Sequence, residues 1–290
     1  MQHNSKRSVC RTGERTAWVL GVIAVAILAG GACSPASDHD SLVLTGSSTL
    51  APVVVRIAQQ YELAHPGVRI DVQSGGSSRG IVDIRSGLAD IAMVSRALVG
   101  TERTLHAYPI ARDGVAIILN VQNPLTALSE AQVVAIYTGE VGNWKELGGR
   151  DAKIVVVHKA AGRATREVFL DYFALEDGAV QADVIVGENE QAVKTVAGSP
   201  AAIGYVSIGT AAIDIEHGVP IKLLGIGGVA ASLENLRRRI YPIARPLNLV
   251  TLQPASGLAR AFIDFVRTPK IKPLIEAQHF AQVASVQVGK

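Results

Sequence analysis

The sequence predicts an α/β protein, a mostly parallel sheet flanked by helices. Three observations predict it. From Leu42 onward, short apolar runs alternate with apolar positions at helical spacing. Turns rich in glycine and hydroxyl residues join strands to helices. Hydrophobic residues make up 48% of the chain and charged residues 18%, too apolar for a disordered chain and enough for a core. The 290 residues suit one large domain or two modest ones.

The first 32 residues read as a secretory signal. A polar stretch with Lys6, Arg7, Arg11 and Arg15 precedes an apolar run from Ala17 to Ala29. Gly30, Gly31 and Ala32 then lead to Cys33. The apolar run is shorter than the ~18–20 residues of a membrane span, although an uncleaved N-terminal anchor is the alternative. The layout resembles a bacterial lipoprotein signal, which implies lipid attachment at Cys33 and a membrane-tethered protein at the periplasmic or cell-surface side. Gly30 stands where such signals carry a Leu-like residue, and Ser34-Pro35-Ala36 offers ordinary cleavage instead. Cys10 and Cys33 are the two cysteines, and Cys10 lies in the segment to be removed. No disulfide is therefore expected in the mature chain. Residues 33–41 read as a tether. Four cations and one anion in residues 1–32 account for the net charge of +3. The remainder is balanced, so bulk charge gives no nucleic-acid signal.

Element by element, Leu42–Leu44 reads as a strand and Gly46–Thr49 as a turn. Val54, Ile57, Ala58 and Tyr61 mark a helix that His65-Pro66-Gly67 stops. Val68, Ile70 and Val72 alternate as a strand. Ser74–Ser78 is a second turn, before a short helix with Ile81, Ile84 and Leu88. Ala89–Val94 is a strand ending at Ser95-Arg96. Val115–Asn120 is an apolar strand, and Ser129-Glu130-Ala131-Gln132 has the form of a capping box. Ile154–Val157 is a strand, followed by the turn Gly162–Thr165 and a helix with Val168, Phe169 and Tyr172. Ala202–Val206 and Ile221–Leu224 read as strands. Tyr241–Thr251 is extended, and Leu258, Phe262, Phe265 and Val266 pattern a late helix.

The turns Gly46–Thr49, Gly75–Ser78 and Gly162–Thr165 share one chemistry. Each follows a strand and precedes a helix, so each presents backbone N–H groups at a helix start. Hydroxyls add donors, and Arg79, Arg96, Lys159, Arg163 and Arg166 are interleaved. One such turn is explained by helix capping alone. Three in matching context point to an anion site, and Thr49, Ser77 and Thr165 are expected to share one hollow. At 4%, aromatic residues are too few for a receptor that stacks sugars or bases.

The runs Leu44–Pro52, Gln73–Gly80 and Ala89–Arg96 resemble the periplasmic phosphate-binding proteins of ABC importers, the PstS family. So do Ile136–Gly139 with Asn143-Trp144, Ala202–Val206, and Tyr241-Pro242 with Arg245-Pro246-Leu247. The likeness spans about residues 42–285. It implies a two-lobe periplasmic-binding-protein fold of type II, each lobe a mostly parallel sheet flanked by helices. Lobe one would be 42–116 plus 246–290 and lobe two 117–245, joined at two crossover strands near Val115–Asn120 and Tyr241–Leu249. It implies inorganic phosphate or a similar oxyanion as ligand, delivery to an ABC permease and ATPase complex, a monomer, no cofactor or metal, and no nucleic-acid partner. Carried over turn by turn, the implied ligand residues are Thr49, the N–H of Leu50, Ser77, Arg96, Lys159, Arg163, the N–H of Ala164, and Thr165. The third turn departs from the family pattern, with Lys159 for an arginine, Arg163 for a serine and Ala164 for a glycine. Arg96 also stands where longer members carry an aspartate, so the agent that would select phosphate over sulfate is not evident.

Two rival classes remain open. An exported anion-binding sensor or adhesion module would use the same fold without transport. A serine hydrolase would use Gly76-Ser77-Ser78-Arg79-Gly80 as a nucleophile elbow, with Ser78 as nucleophile and Asp264 and His279 as partners. Among the histidines, His158 is the one beside a candidate ligand turn and reads as strand-end packing, and Trp144 reads as a surface staple.

Overall fold

The computed structural model describes residues 40–283. The signal segment, Cys10, Cys33 and all but the end of the tether lie outside the described residues. The last tether residues, Asp40 and Ser41, belong to the first strand.

The first part alternates as expected: β1 Asp40–Gly46, α1 Ala51–Ala64, β2 Val68–Ser74, α2 Ser77–Arg85 and β3 Ile91–Val94. Strand β1 pairs in parallel with β2 on one side and β3 on the other. Then come β4 His106–Asn120, α3 Glu130–Tyr137, β5 Val155–Lys159, α4 Ala164–Tyr172, β6 Val184–Val186, α5 Asn189–Ala197 and β7 Ala202–Ser207. Strand β5 pairs in parallel with β6 and β7. The chain continues through α6 Ile208–Glu216, β8 Ile221–Leu224, α7 Leu233–Arg237, β9 Ala244–Thr251, α8 Gly257–Val266, α9 Lys272–Glu276 and β10 Ala281–Gln282. The path across the sheet is β2-β1-β3-β9-β4-β7-β5-β6, with β8 and β10 also on β4. Among the described residues, no helix is long and apolar enough to cross a membrane.

Two apolar cores explain why β4 and β9 are long. Leu44, Val54, Ile57, Met93, Leu249 and Phe262 belong to one core, with Ile110 and Ala111 from the start of β4. Val115 and Ile117, farther along β4, join Tyr137, Trp144, Phe169 and Tyr205 in another. A third cluster, with Val157, Val193 and Val206, covers the opposite face of the second sheet region. The antiparallel pair β4/β9 carries the chain from one core to the next. The sequence reading starts β4 only at Val115, because His106–Asp113 mixes polar residues with Pro109. The register shifts between Pro109 and Ala111, which absorbs the proline that cannot donate to a ladder. At the junction between cores, Asp113 of β4 lies directly opposite Arg245 of β9.

The capping box at α3 forms in both directions: Ser129 Oγ accepts from Gln132 N–H at 3.2 Å, and Gln132 Oε1 accepts from Ser129 N–H at 2.8 Å. Trp144 is buried and donates its indole N–H to the Ala201 carbonyl, so it packs within the second core instead of stapling a surface.

Candidate functional site

Four strand-to-helix turns meet at one hollow. The β1–α1 turn brings Ser47, Ser48 and Thr49, the β2–α2 turn Gly76 and Ser77, and the end of β3 brings Ser95. Lys159 ends β5, and the turn into α4 brings Arg163, Ala164 and Thr165. The β6–α5 turn adds Gly187 and Asn189. The hollow is small and polar, with no aromatic side chain in its lining, which favours a compact ion over a sugar or base. Helices α2 and α4 begin at this rim without a side-chain cap, a feature shared with α5, α8 and α9, whereas Ser129, Ser207 and Ser232 cap α3, α6 and α7. Ahead of α1, Ser47 Oγ accepts from the Leu50 N–H at 3.3 Å. Capping therefore accounts for the Ser47 hydroxyl, but Ser77 accepts from Ser95 and Thr165 from Arg245 instead. The starts of α2 and α4 bring their positive dipole ends to this volume.

The hydroxyls are tied into hydrogen-bond networks. Thr49 Oγ1 accepts from Asn189 Nδ2 and from Arg245 Nη2, both at 3.1 Å. A hydroxyl has two acceptor lone pairs and one proton, so with both pairs filled its O–H must point to another acceptor. Thr165 Oγ1 accepts from Arg245 Nη1 at 2.9 Å. Ser77 Oγ accepts from the Ser95 N–H at 3.1 Å, and Ser47 Oγ donates to Ser95 Oγ at 2.9 Å. Arg245 is the hub of this arrangement. Its guanidinium is buried, pairs with Asp113 at 2.8 Å, and orients a threonine from each of two distant turns.

Charge is local. Lys159 and Arg163 line the hollow, and no lining residue is acidic. Lys159 Nζ donates to the Glu188 carbonyl at 2.9 Å and to Asn189 Oδ1 at 3.0 Å, leaving one of its three protons. Burial first, then the neighbouring Arg245, pull its pKa from 10.5 to about 7, against a smaller opposite pull from Glu188. Arg245 and Arg163 contribute to that depression, and their positive fields favour added negative charge. Arg163 donates to Glu188 Oε1 at 2.6 Å along the edge of the hollow.

Of the residues singled out in the sequence, Thr49, Ser77, Lys159, Arg163, Ala164 and Thr165 come together. Leu50 and Arg96 do not line the hollow. The Leu50 N–H is spent inside its own turn on Ser47, its carbonyl at 3.2 Å and its hydroxyl at 3.3 Å. The Arg96 guanidinium turns to Glu102 and Glu167. Arg79 pairs with Asp83 and Arg166 with Asp177, so neither supplies charge to the hollow. His158 is buried and packs as expected, accepting from Arg166 Nε through Nε2 while Nδ1 meets the Tyr205 hydroxyl at 2.8 Å. Sequence reasoning missed Ser47, Ser95, Asn189 and Arg245 as parts of the site. Arg245 had a signal, a lone cation in an extended apolar segment. Asn189 had little, because β6 is only three residues long and its loop is acidic.

The hydrolase arrangement is not assembled. Ser78 Oγ donates to Glu167 Oε1 at 3.0 Å, His279 pairs with Glu216 at 3.0 Å, and Asp264 pairs with Arg260 at 2.6 Å.

Comparison with known proteins agrees with this geometry. A family model described as a PBP superfamily domain matches residues 33–270. The phosphate-binding protein PstS of Bacillus subtilis is 31% identical over 86% of this chain and 83% of its own. The chain belongs to the PstS family. A phosphate ABC transporter substrate-binding protein from Clostridium perfringens, solved with bound phosphate, matches with a TM-score of 0.79 and 31% identity, covering 84% of this chain and all of that one. An ABC-type phosphate transport receptor from Vibrio cholerae matches with a TM-score of 0.67 and 30% identity over 84% of this chain and 100% of its own. PstS membership gives this chain the two-lobe periplasmic-binding-protein fold, and its family is one of transport receptors.

Proposed function

We propose that this protein is an extracytoplasmic receptor that binds inorganic phosphate in the hollow between its lobes and delivers it to an ABC permease and ATPase complex. One observation carries the reading. The hydroxyls of Thr49 and Thr165, from turns 116 positions apart, both accept from Arg245 beside one small cationic space, and Thr49, which also accepts from Asn189, has its proton left to give. A small space lined by hydroxyls, an amide and two cationic side chains, with no carboxylate, suits an anion. The relatives' names supply phosphate as its identity.

The ligand set is Thr49, Ser77, Lys159, Arg163, the Ala164 N–H and Thr165, joined by Asn189 and oriented by Arg245. The lobes are 42–116 with 246–290, and 117–245, turning on β4 and β9. Ligand draws the closed form because donors from both lobes are satisfied together only there. Cys33 is the lipid attachment point that keeps the receptor beside its permease. A calorimetric panel of phosphate, sulfate, molybdate and a phosphonate on the mature chain tests the assignment. Phosphate binding tightest is the expected result, and binding of none of the four overturns it.

A further inference from the structure

Ser78 and Arg96 sit beside the hollow and face away from it. Both oxygens of Glu167, on α4, are held from the other side of the cleft. Ser78 Oγ donates to Oε1 at 3.0 Å, and Arg96 Nε pairs with Oε2. Arg96 is itself fixed by Glu102, with Nη1 and Nη2 donating to its two oxygens at 2.6 and 2.9 Å. Arg96 Nη2 also reaches Ser78 Oγ at 3.4 Å, and the Ser78 N–H donates to the Gly162 carbonyl at 3.3 Å. Burial works against the charge of Arg96, and Glu102 with Glu167 more than reverses that.

The two halves of this cluster belong to different cores. Ile81 and Ile84 of α2 pack with Ala92 and Val94 of β3, beside Ser78 and Arg96. Phe169 of α4, two positions after Glu167, is in the core of Tyr137 and Tyr205. Glu102 pre-sets Arg96 on one side, so only Glu167 has to arrive. None of Ser78, Arg96, Glu102 or Glu167 lines the hollow. Their contact energy is therefore indifferent to what the hollow holds. Exposed ion pairs contribute little, but the Arg96 side chain here is only 6% exposed and that of Glu167 35%.

We propose that Glu167, gripped by Ser78 and Arg96, is a guest-independent latch that favours the closed cleft. This explains why an arginine in the sequence run that marks the family is absent from the hollow itself. A latch multiplies the apparent affinity for every guest by the same factor, because it acts on the share of closed molecules. A ligand contact would change one guest more than another.

The affinity arm of the test rests on the oxyanion reading above, so a second arm is independent of it. Calorimetry would compare phosphate and sulfate on the wild type, Glu167→Gln and the milder Ser78→Ala, each checked for folding by circular dichroism. Glu167→Gln is expected to weaken both anions alike, by about tenfold, and Ser78→Ala by about threefold, chiefly through faster release. Affinities within twofold of wild type in both variants overturn the latch. A loss confined to one anion also overturns it, since Glu167 would then touch the guest. If the wild type binds neither anion, the reading of the hollow falls, and small-angle scattering of the ligand-free proteins decides the latch alone. A larger radius of gyration in Glu167→Gln supports it, and an unchanged radius removes it.

Discussion

Arg163 and Lys159 supply the charge of the hollow, and they do so differently. Arg163 is held at the rim by Glu188. Replacing it with alanine should weaken phosphate binding by about 2 kcal/mol or more, the scale of a desolvated charge-assisted contact, and calorimetry reads this directly. Lys159 titrates. With its pKa at about 7, a basic solution finds it neutral in the empty receptor, and an arriving anion must draw a proton onto it. Affinity should therefore fall as pH rises above 7, by up to about tenfold per unit. Sulfate is the cleaner probe because it does not titrate in this range, and Lys159→Arg should flatten the profile. The stability sign runs the other way from a lysine that gains a partner. The unfolded chain binds more protons between pH 7 and 10.5, so this residue's destabilising effect is complete below about pH 7 and fades as pH rises toward 10.5. Thermal melts of Lys159→Met should exceed wild type below pH 7 and converge with it at high pH.

Turns, more than strands or helices, decide whether the hollow exists. Gly76 has φ of +100°, and a Cβ there would stand 2.6 Å from the Gly162 carbonyl oxygen on the facing turn. Gly76→Ala should cost about 1–3 kcal/mol of backbone strain, seen in urea unfolding, and should also weaken phosphate binding by holding the two turns apart. Such turns were readable in advance because glycine and hydroxyl residues recur at fixed places between strand and helix patterns. Apolar runs marked β1, β3, β5, β7 and β8, and alternation marked β2, for the same reason. What escaped had weak local marking. The first half of β4 hides behind Pro109 and its charged residues, and its pairing with β9 is a property of distant sequence. Helix α5 follows a strand of three residues, so the fourth turn, with Asn189, went unseen. Arg96 had the right position and charge for a ligand. Only the tertiary fold brings Glu167 to it, from 71 residues away.

At the scale of the molecule, one ion pair stands where the chain passes between cores. Asp113 and Arg245 are opposite residues on the two long strands, with side chains 0% and 1% exposed. Arg245 also holds Thr49 and Thr165, so the crossing strands and the hollow share one guanidinium. Asp113→Asn would strand that cation in the interior. The expected loss is about 3–5 kcal/mol in urea unfolding, larger than for any rim substitution, because an uncompensated buried charge is left behind.

The uncapped starts of α2 and α4 have a consequence for the transport cycle. In the proposed binding mode, the cargo would do for these helices what a serine does for α3, α6 and α7: finish the first turn. Unloading would then ask the receptor to surrender part of its own secondary-structure termination, and reloading would restore it.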